Sequence, residues 1–475
     1  GLPFPMSGDT TGYHMEIVSW LNNFSLVPGL ANLHFRLGSY SGYLDFSAVI
    51  DNYIWDNKSP FVMPGLFFFG FCMYFIWEFF LSLSKKNKGI KTKIWNIFYA
   101  TPLLLASSYY YFGTFNSGPN LYYDILPMFL FAIILNEIMK LFFSKHKNNE
   151  IFLLNPLFVI SAFSIIAYLS KQSNALVLLL VSLFSVYLLF KNSLLNIKNF
   201  FRIFLIPILG FLGSIVSNLI TSGYPLFPLP FIKVNFPWTA SIDSINQAYV
   251  SIKYWAKLPG ENYMSVANNS FLYWFIPWIK RNMADPLFIN LAFIPLVCGL
   301  LIWLINIFFC IRKKQKYYWL FILVTLNLIY WFLMAPDIRF GIMFFVVFFS
   351  TGFAVLLLLI YTYNEIAFKK IFNKYNLTVV FLFTGLISIW LFRVSKLDKK
   401  FIEIKNYYNV NFVDSNEFYE KEMKTKNGGS ITVYIPKDNE CRSFPLPCTP
   451  YYSKNIKAFN GNNLGTGFYY EGDEK

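Results

Sequence analysis

The stretch FVMPGLFFFGFCMYFIWEFFLSLSKKNKGIKTK, residues 61–93, decides the class of this chain. Its first part, 61–83, carries a single charge, Glu78, and the ten residues after it carry Lys85, Lys86, Lys88, Lys91 and Lys93. A run of about 20 apolar residues is long enough to cross a bilayer as a helix. A lysine-rich loop directly after such a run marks the cytoplasmic side.

Working outward, the same alternation recurs. Further apolar runs lie near 95–115, 121–143, 151–170, 174–191, 201–221, 287–311, 317–335, 340–363 and 376–394, about ten spans in all. The run 95–115 is polar in places and 174–191 is short, so either reads as a span or as a re-entrant or tilted segment. Every second connection is basic: Lys145 with Lys147, then Lys191, Lys198 and Arg202, then Arg312, Lys313, Lys314 and Lys316, then Lys369, Lys370 and Lys374. These connections read as cytoplasmic, and an even number of crossings separates them.

The composition agrees. Of 475 residues 56% are hydrophobic and only 14% charged, against about 25% charged in a soluble domain. The net charge of +15 comes mostly from the loop lysines, with Lys396, Lys399 and Lys400 on the expected outer side. Dispersed between spans rather than gathered on one face, these charges exclude a nucleic-acid partner. The fold class read from the sequence is an all-α polytopic membrane bundle. Because residue 1 starts on the outer side without a targeting segment, a further first span is expected ahead of it.

Three regions share the expected outer face: residues 1–60, the connection 222–286 inside the bundle 61–394, and the tail 395–475. The tail turns polar and holds a strand-like run, Ser430 to Ile435, after Asn427-Gly428-Gly429, so it reads as a small α/β or β-rich appendage. Cys441 and Cys448 lie seven apart in a Pro-containing loop, and an oxidising outer compartment predicts a bridge between them. Trp274 and Trp278 with Lys280 and Arg281 suit an amphipathic helix at the membrane interface within 261–281.

Four constellations could carry chemistry. Asp9-Thr10-Thr11-Gly12-Tyr13-His14 together with Asn32-Leu33-His34-Phe35-Arg36 supplies an acid, two imidazoles and a guanidinium just above the membrane. Asp9 reads either as a helix cap or as a general base, and the second is favoured; His34 and Arg36 read equally as loop structure. Pro336-Asp337-Ile338-Arg339 places a phosphate-gripping guanidinium in a tight turn, against the plainer reading of an Asp337–Arg339 pair. Gly223-Tyr224-Pro225 is first a hinge, with Tyr224 a candidate cavity residue. The turn Phe115 to Asn120 is followed by Asp124, an acid entering hydrocarbon, which usually faces a partner or a cavity. Asp9, His14 and His34 are metal-ligand types, yet their spacing defines no geometry; the metal is left unknown, with a weakly bound divalent cation shared with a lipid phosphate kept open.

On Asp9-Thr10 with Tyr13-His14, Pro28-Gly29-Leu30 with Asn32-Leu33-His34, Gly223-Tyr224-Pro225, Pro336-Asp337 with Arg339-Phe340, and Cys441 to Cys448-Thr449-Pro450, the chain resembles a family of bacterial polytopic membrane proteins. More distantly, by arrangement, it resembles the GT-C superfamily of lipid-linked-sugar glycosyltransferases. That resemblance implies a first-loop catalytic carboxylate, at Asp9. It departs from the common pattern in having one acid there rather than a pair. It further implies a polyprenyl-phosphate sugar as donor, a glycan or glycolipid acceptor, and a site with its C-terminal tail on the periplasmic face of the bacterial inner membrane. His14, His34, Arg36, Asp124, Tyr224, Asp337 and Arg339 are then the expected substrate-binding residues. An O-antigen polymerase or ligase, and a transporter or flippase of lipid-linked glycans, are the competing readings.

Overall fold

The structure is a computed structural model and describes residues 9–51, 59–84, 89–115, 124–143, 150–313, 317–366, 418–441 and 445–472. The expected tenth span, 376–394, lies outside the described residues, as do Asn116 to Asn120 and Lys396, Lys399 and Lys400.

The first region forms three short helices, α1 (Met15–Phe24), α2 (Leu30–Leu33) and α3 (Gly42–Ile50). Six long helices follow: α4 (Ser59–Ser84), α5 (Ile90–Phe115), α6 (Ile125–Phe143), α7 (Glu150–Ser170), α8 (Ala175–Lys191) and α9 (Ile197–Ser222). The connection after α9 holds α10 (Ile242–Tyr254), α11 (Tyr263–Asn268), α12 (Phe271–Met283) and the short α13 (Pro286–Phe288). Then come α14 (Ile294–Lys313), α15 (Tyr318–Met334) and α16 (Ile338–Tyr363).

Among the described residues seven helices are long and apolar enough to cross a membrane: 62–82, 125–143, 150–170, 172–191, 197–222, 289–311 and 338–363. The molecule is thus a mostly helical, multi-pass membrane protein. The short 174–191 run qualifies once its leading turn is counted, whereas α15 is apolar but shorter and α5 is not apolar enough. The polarity of α5 has a use. Trp95 Nε1 donates to Asn136 Oδ1 at 2.8 Å, and Asn96 Nδ2 donates to Glu78 Oε2 at 3.1 Å and Ser82 Oγ at 2.7 Å.

Position in the bundle follows from which faces are apolar. In α6 thirteen residues, from Ile125 to Met139, are buried all round, which marks a central helix; α16 is its equally buried neighbour. Peripheral helices split their faces instead: in α8, Val177, Val181, Ser185 and Leu189 point inward while Leu179, Leu183 and Phe190 are exposed. Where hydrocarbon surrounds both partners, helices are held by close packing and polar ties. Trp303 Nε1 donates to Phe348 O at 3.0 Å and Asn306 Nδ2 to Gly352 O at 2.7 Å, joining α14 to α16.

The tail holds two antiparallel pairs, β1 (Phe418–Lys424) with β2 (Ser430–Pro436), and β3 (Ile456–Ala458) with β4 (Phe468–Tyr470). The expected strand falls in β2, and Cys441 is bonded to Cys448. This appendage is not independent of the bundle. Met423, Ile431, Val433, Ile456, Ala458 and Phe468 share one apolar core with Trp20, Val27, Leu30, Leu33 and Leu37 of the first loop. Phe468 N donates to Pro28 O at 3.0 Å, and Thr449 Oγ1 to Leu33 O at 2.6 Å. The tail therefore caps the end of the bundle that carries residues 9–51.

Candidate functional site

Residues Thr10–His14 close a single π turn that runs on into α1; such turns are rare and concentrate at functional sites. Asp9 stands ahead of it with helical backbone angles and makes no side-chain cap bond, so the cap reading does not hold. Its carboxylate instead meets Arg339, with Nη1 to Oδ2 at 3.3 Å.

Arg339 is placed by the start of α16. Asp337 caps that helix: its Oδ1 accepts from the Arg339 backbone N–H at 2.8 Å and from Arg339 Nε at 3.1 Å. Two indoles hold the turn, Trp278 Nε1 donating to Pro336 O and Trp331 Nε1 to Asp337 O, both at 2.8 Å. A Cβ on Gly341 would come within 2.4 Å of the Trp331 ring, so only glycine lets this indole lie against α16. The guanidinium is thus clamped between two carboxylates.

Beside it lies a second ion pair. Asp124, one residue before α6, accepts from Lys171 Nζ, at the junction of α7 and α8. The ammonium also sits over the Phe340 ring, 3.1 Å from its centroid. Asp124, Lys171, Ser173, Asn174, Trp331 and Phe340 line a cleft at this end of the bundle. Arg36 stands farther along the first loop, its guanidinium 5.5 Å from the ring centroids of both Tyr13 and Phe35.

The charges act on one another. Burial pushes the Asp9 carboxyl up, but Arg339, His14, Arg36 and Lys171 together outweigh it and hold the pKa below the usual carboxylate value. Burial drives His14 down to about 3, against the attraction of Asp9. At neutral pH the site therefore presents an ionised carboxylate beside an uncharged imidazole.

The structure brings together Asp9, Asp337 and Arg339, with the Asp124 pair and the charge of Arg36 acting on the same place. His34 lies elsewhere in the first loop. Its Nδ1 is 3.8 Å from Glu16 Oε2, its ring is 5.0 Å from that of Tyr451 in the tail, and both Glu16 and His34 are buried. Burial lifts Glu16 to about 8, opposed by a hydrogen bond from Trp20, and lowers His34 to about 3. Tyr224 is packed into a separate apolar cluster. It is 0% exposed, packed with Phe35, Phe227 and Ala240, and its hydroxyl donates to Ala240 O at 3.4 Å. Its place is under the hinge, as the Gly and Pro neighbours suggest.

Lys171 escaped the sequence reading, although a signal was present: it is a lysine in a short turn on the side expected to lack them. Glu16, an acid in the apolar run Met15 to Trp20, was legible in the same way. Among the described residues no group of three or more His, Cys, Asp or Glu side chains could hold a metal ion.

Residues 3–346 fit the family model "Domain of unknown function (DUF8201)", so the chain belongs to that family. No curated protein matches the chain. No solved structure matches it either.

Proposed function

We propose that this DUF8201 member is an inverting membrane glycosyltransferase of GT-C type, moving a sugar from a polyprenyl-phosphate donor to an envelope glycan or glycolipid. The observation that carries the reading is the contact of Asp9 with Arg339 at the mouth of a helix bundle, beside a cleft. A guanidinium with two carboxylate partners is a ready phosphate site, because an incoming phosphate monoanion or dianion offers the same bidentate geometry. When the donor phosphate takes Arg339, Asp9 loses its partner and its pKa rises toward that of a working base.

In the step itself Asp9 accepts the proton of the acceptor hydroxyl, whose oxygen attacks the anomeric carbon from the face opposite the phosphate. The carbon–oxygen bond to phosphate breaks, its electron pair leaves on the lipid phosphate, and Arg339 stabilises that charge. Neutral His14 supplies a hydrogen-bonding group without competing for the proton. A divalent cation held weakly through the phosphate is compatible with this scheme but carries no step of it.

The shared core of first loop and tail supports one side for both, and so an even number of crossings between them. With the lysine pattern this favours about ten spans and a periplasmic site in the inner membrane. The test is transfer by the purified chain reconstituted with polyprenyl-phosphate sugars and an acceptor extract. Asp9→Asn is expected to retain donor binding and lose transfer; equal product from the variant would remove the catalytic assignment.

A second reading is favoured by a specific observation. Glu78, Glu137 and Lys140 form an ionic group inside the bundle, as a transporter or flippase of lipid-linked glycans would need. Movement of a labelled lipid-linked sugar across vesicles without covalent transfer would select it. An O-antigen polymerase or ligase would form product, but by joining lipid-linked glycans.

A further inference from the structure

Three cationic heads converge on consecutive residues at the end of α10. The Arg339 guanidinium lies 5.1 Å from the Trp255 ring centroid, and Arg281 Nη2 donates to the Ala256 carbonyl at 3.1 Å. The ammonium of Lys257 lies 4.5 Å and 5.0 Å from the ring centroids of Tyr254 and Trp274.

Their anions are unequally shared. Arg339 takes Asp337 and Asp9, and Arg281 feels Asp337 only at longer range. Lys257, 5% exposed, has no hydrogen-bonded or ion-paired acceptor among the described residues. Ring faces offset only part of what a cation loses on leaving water. Consistent with that deficit, burial, with Lys253 adding repulsion, lowers Lys257 to about 8. Its surroundings suggest what completes the site. Trp274 belongs to α12, which turns Phe271, Leu272, Tyr273 and Ile276 outward, an arrangement suited to headgroup depth.

We propose that Lys257, assisted by Arg281, binds a phosphate oxygen of a lipid-borne phosphate ester. The identity of that lipid as the sugar carrier rests on the function proposed above; the anion site does not.

The full chain in phosphatidylcholine nanodiscs is titrated separately with a polyprenyl monophosphate, with phosphatidylglycerol and with inorganic phosphate, read by tryptophan fluorescence and native mass spectrometry. The wild type is expected to bind the polyprenyl phosphate. Lys257→Gln should weaken it about tenfold, the loss of one charge-assisted hydrogen bond, and Lys257→Arg by less than about threefold. Circular dichroism and melting check that each variant is folded, and Arg281→Gln, expected to weaken binding about threefold, replaces Lys257→Gln should that variant not fold. Equal binding of phosphatidylglycerol or inorganic phosphate, lost in Lys257→Gln, keeps the site and names bulk lipid or free phosphate as its source. Unchanged affinity for all three ligands in folded variants, or no binding by the wild type, overturns it. Phosphate binding that depends on Lys257, without glycosyl transfer, would bring down the enzyme reading alone.

Discussion

Arg339 reaches Asp9 across 330 residues of chain, Nη1 to Oδ2 at 3.3 Å, while Asp337 holds the same guanidinium from the other side. The relationship sets the state of the first loop's acid: a fixed cation holds the Asp9 carboxyl ionised. Arg339→Lys keeps the charge but loses the planar fork. It is expected to lower donor affinity about tenfold, the size of one bidentate phosphate contact, and Arg339→Ala further. Donor titration checks this, and wild-type affinity in both variants would reduce Arg339 to a structural anchor.

Glu16 should make stability fall as the pH rises. It titrates near 4.5 when unfolded and about 8 in the fold, so its contribution is whole below pH 4.5 and is lost progressively up to about 8. His34, lowered from 6.5 to about 3, acts in the opposite sense: its contribution is whole above 6.5 and is lost toward 3. Glu16→Gln is expected to remove the alkaline loss, leaving a variant on the order of 3 kcal/mol more stable than wild type at pH 8 relative to pH 5. The same pH dependence in wild type and variant would contradict the raised titration of this buried carboxyl.

Lys140 holds two acids inside the bundle, at 2.8 Å from Glu78 Oε1 and 2.7 Å from Glu137 Oε1. Lys140→Met strands both carboxylates and should cost about 3 kcal/mol, most of which the triple change with Glu78→Gln and Glu137→Gln restores. The measurement is thermal unfolding in detergent. An unaltered melting temperature in the single variant would mean that water already screens the group.

Much of this was legible in the sequence, for stated reasons. Apolar length gives helices regardless of tertiary detail, and so nine of the ten expected runs coincide with helices, seven of them long and apolar enough to cross a membrane. Asp9 and Arg339 stood out as charges beside hydrocarbon. Their contact did not, because nothing local says which of several charged turns meets which. Asp9 illustrates the limit: capping depends on the first turn's geometry, and with helical angles ahead of a π turn Asp9 makes no cap bond and meets Arg339 instead. Lys171 and Glu16 are visible as charges in unexpected places, but their surroundings, like those of Lys257, come from residues that their local sequence does not identify.

Gly29 marks where first loop and tail meet. Its φ is +65°, and an added Cβ would lie 2.1 Å from the Phe468 carbonyl oxygen and 2.8 Å from Trp238 Cβ. Gly29→Ala should therefore destabilise the docked tail by more than about 2 kcal/mol, seen as faster proteolytic release of residues beyond 418 with the bundle intact. Wild-type proteolysis kinetics would show that the tail is held by other means.

That docking has a consequence for how the protein is made. Trp20 and Leu33 share their core with residues from 423 onward, and at about 5–20 residues per second a ribosome needs on the order of a minute to supply them. Through that interval the nascent first loop lacks the tail's half of that core. Synthesis order thus makes closure of this core a late event: a chain stalled before β4 lacks the Phe468 contact to Pro28 that ties the tail to the first loop.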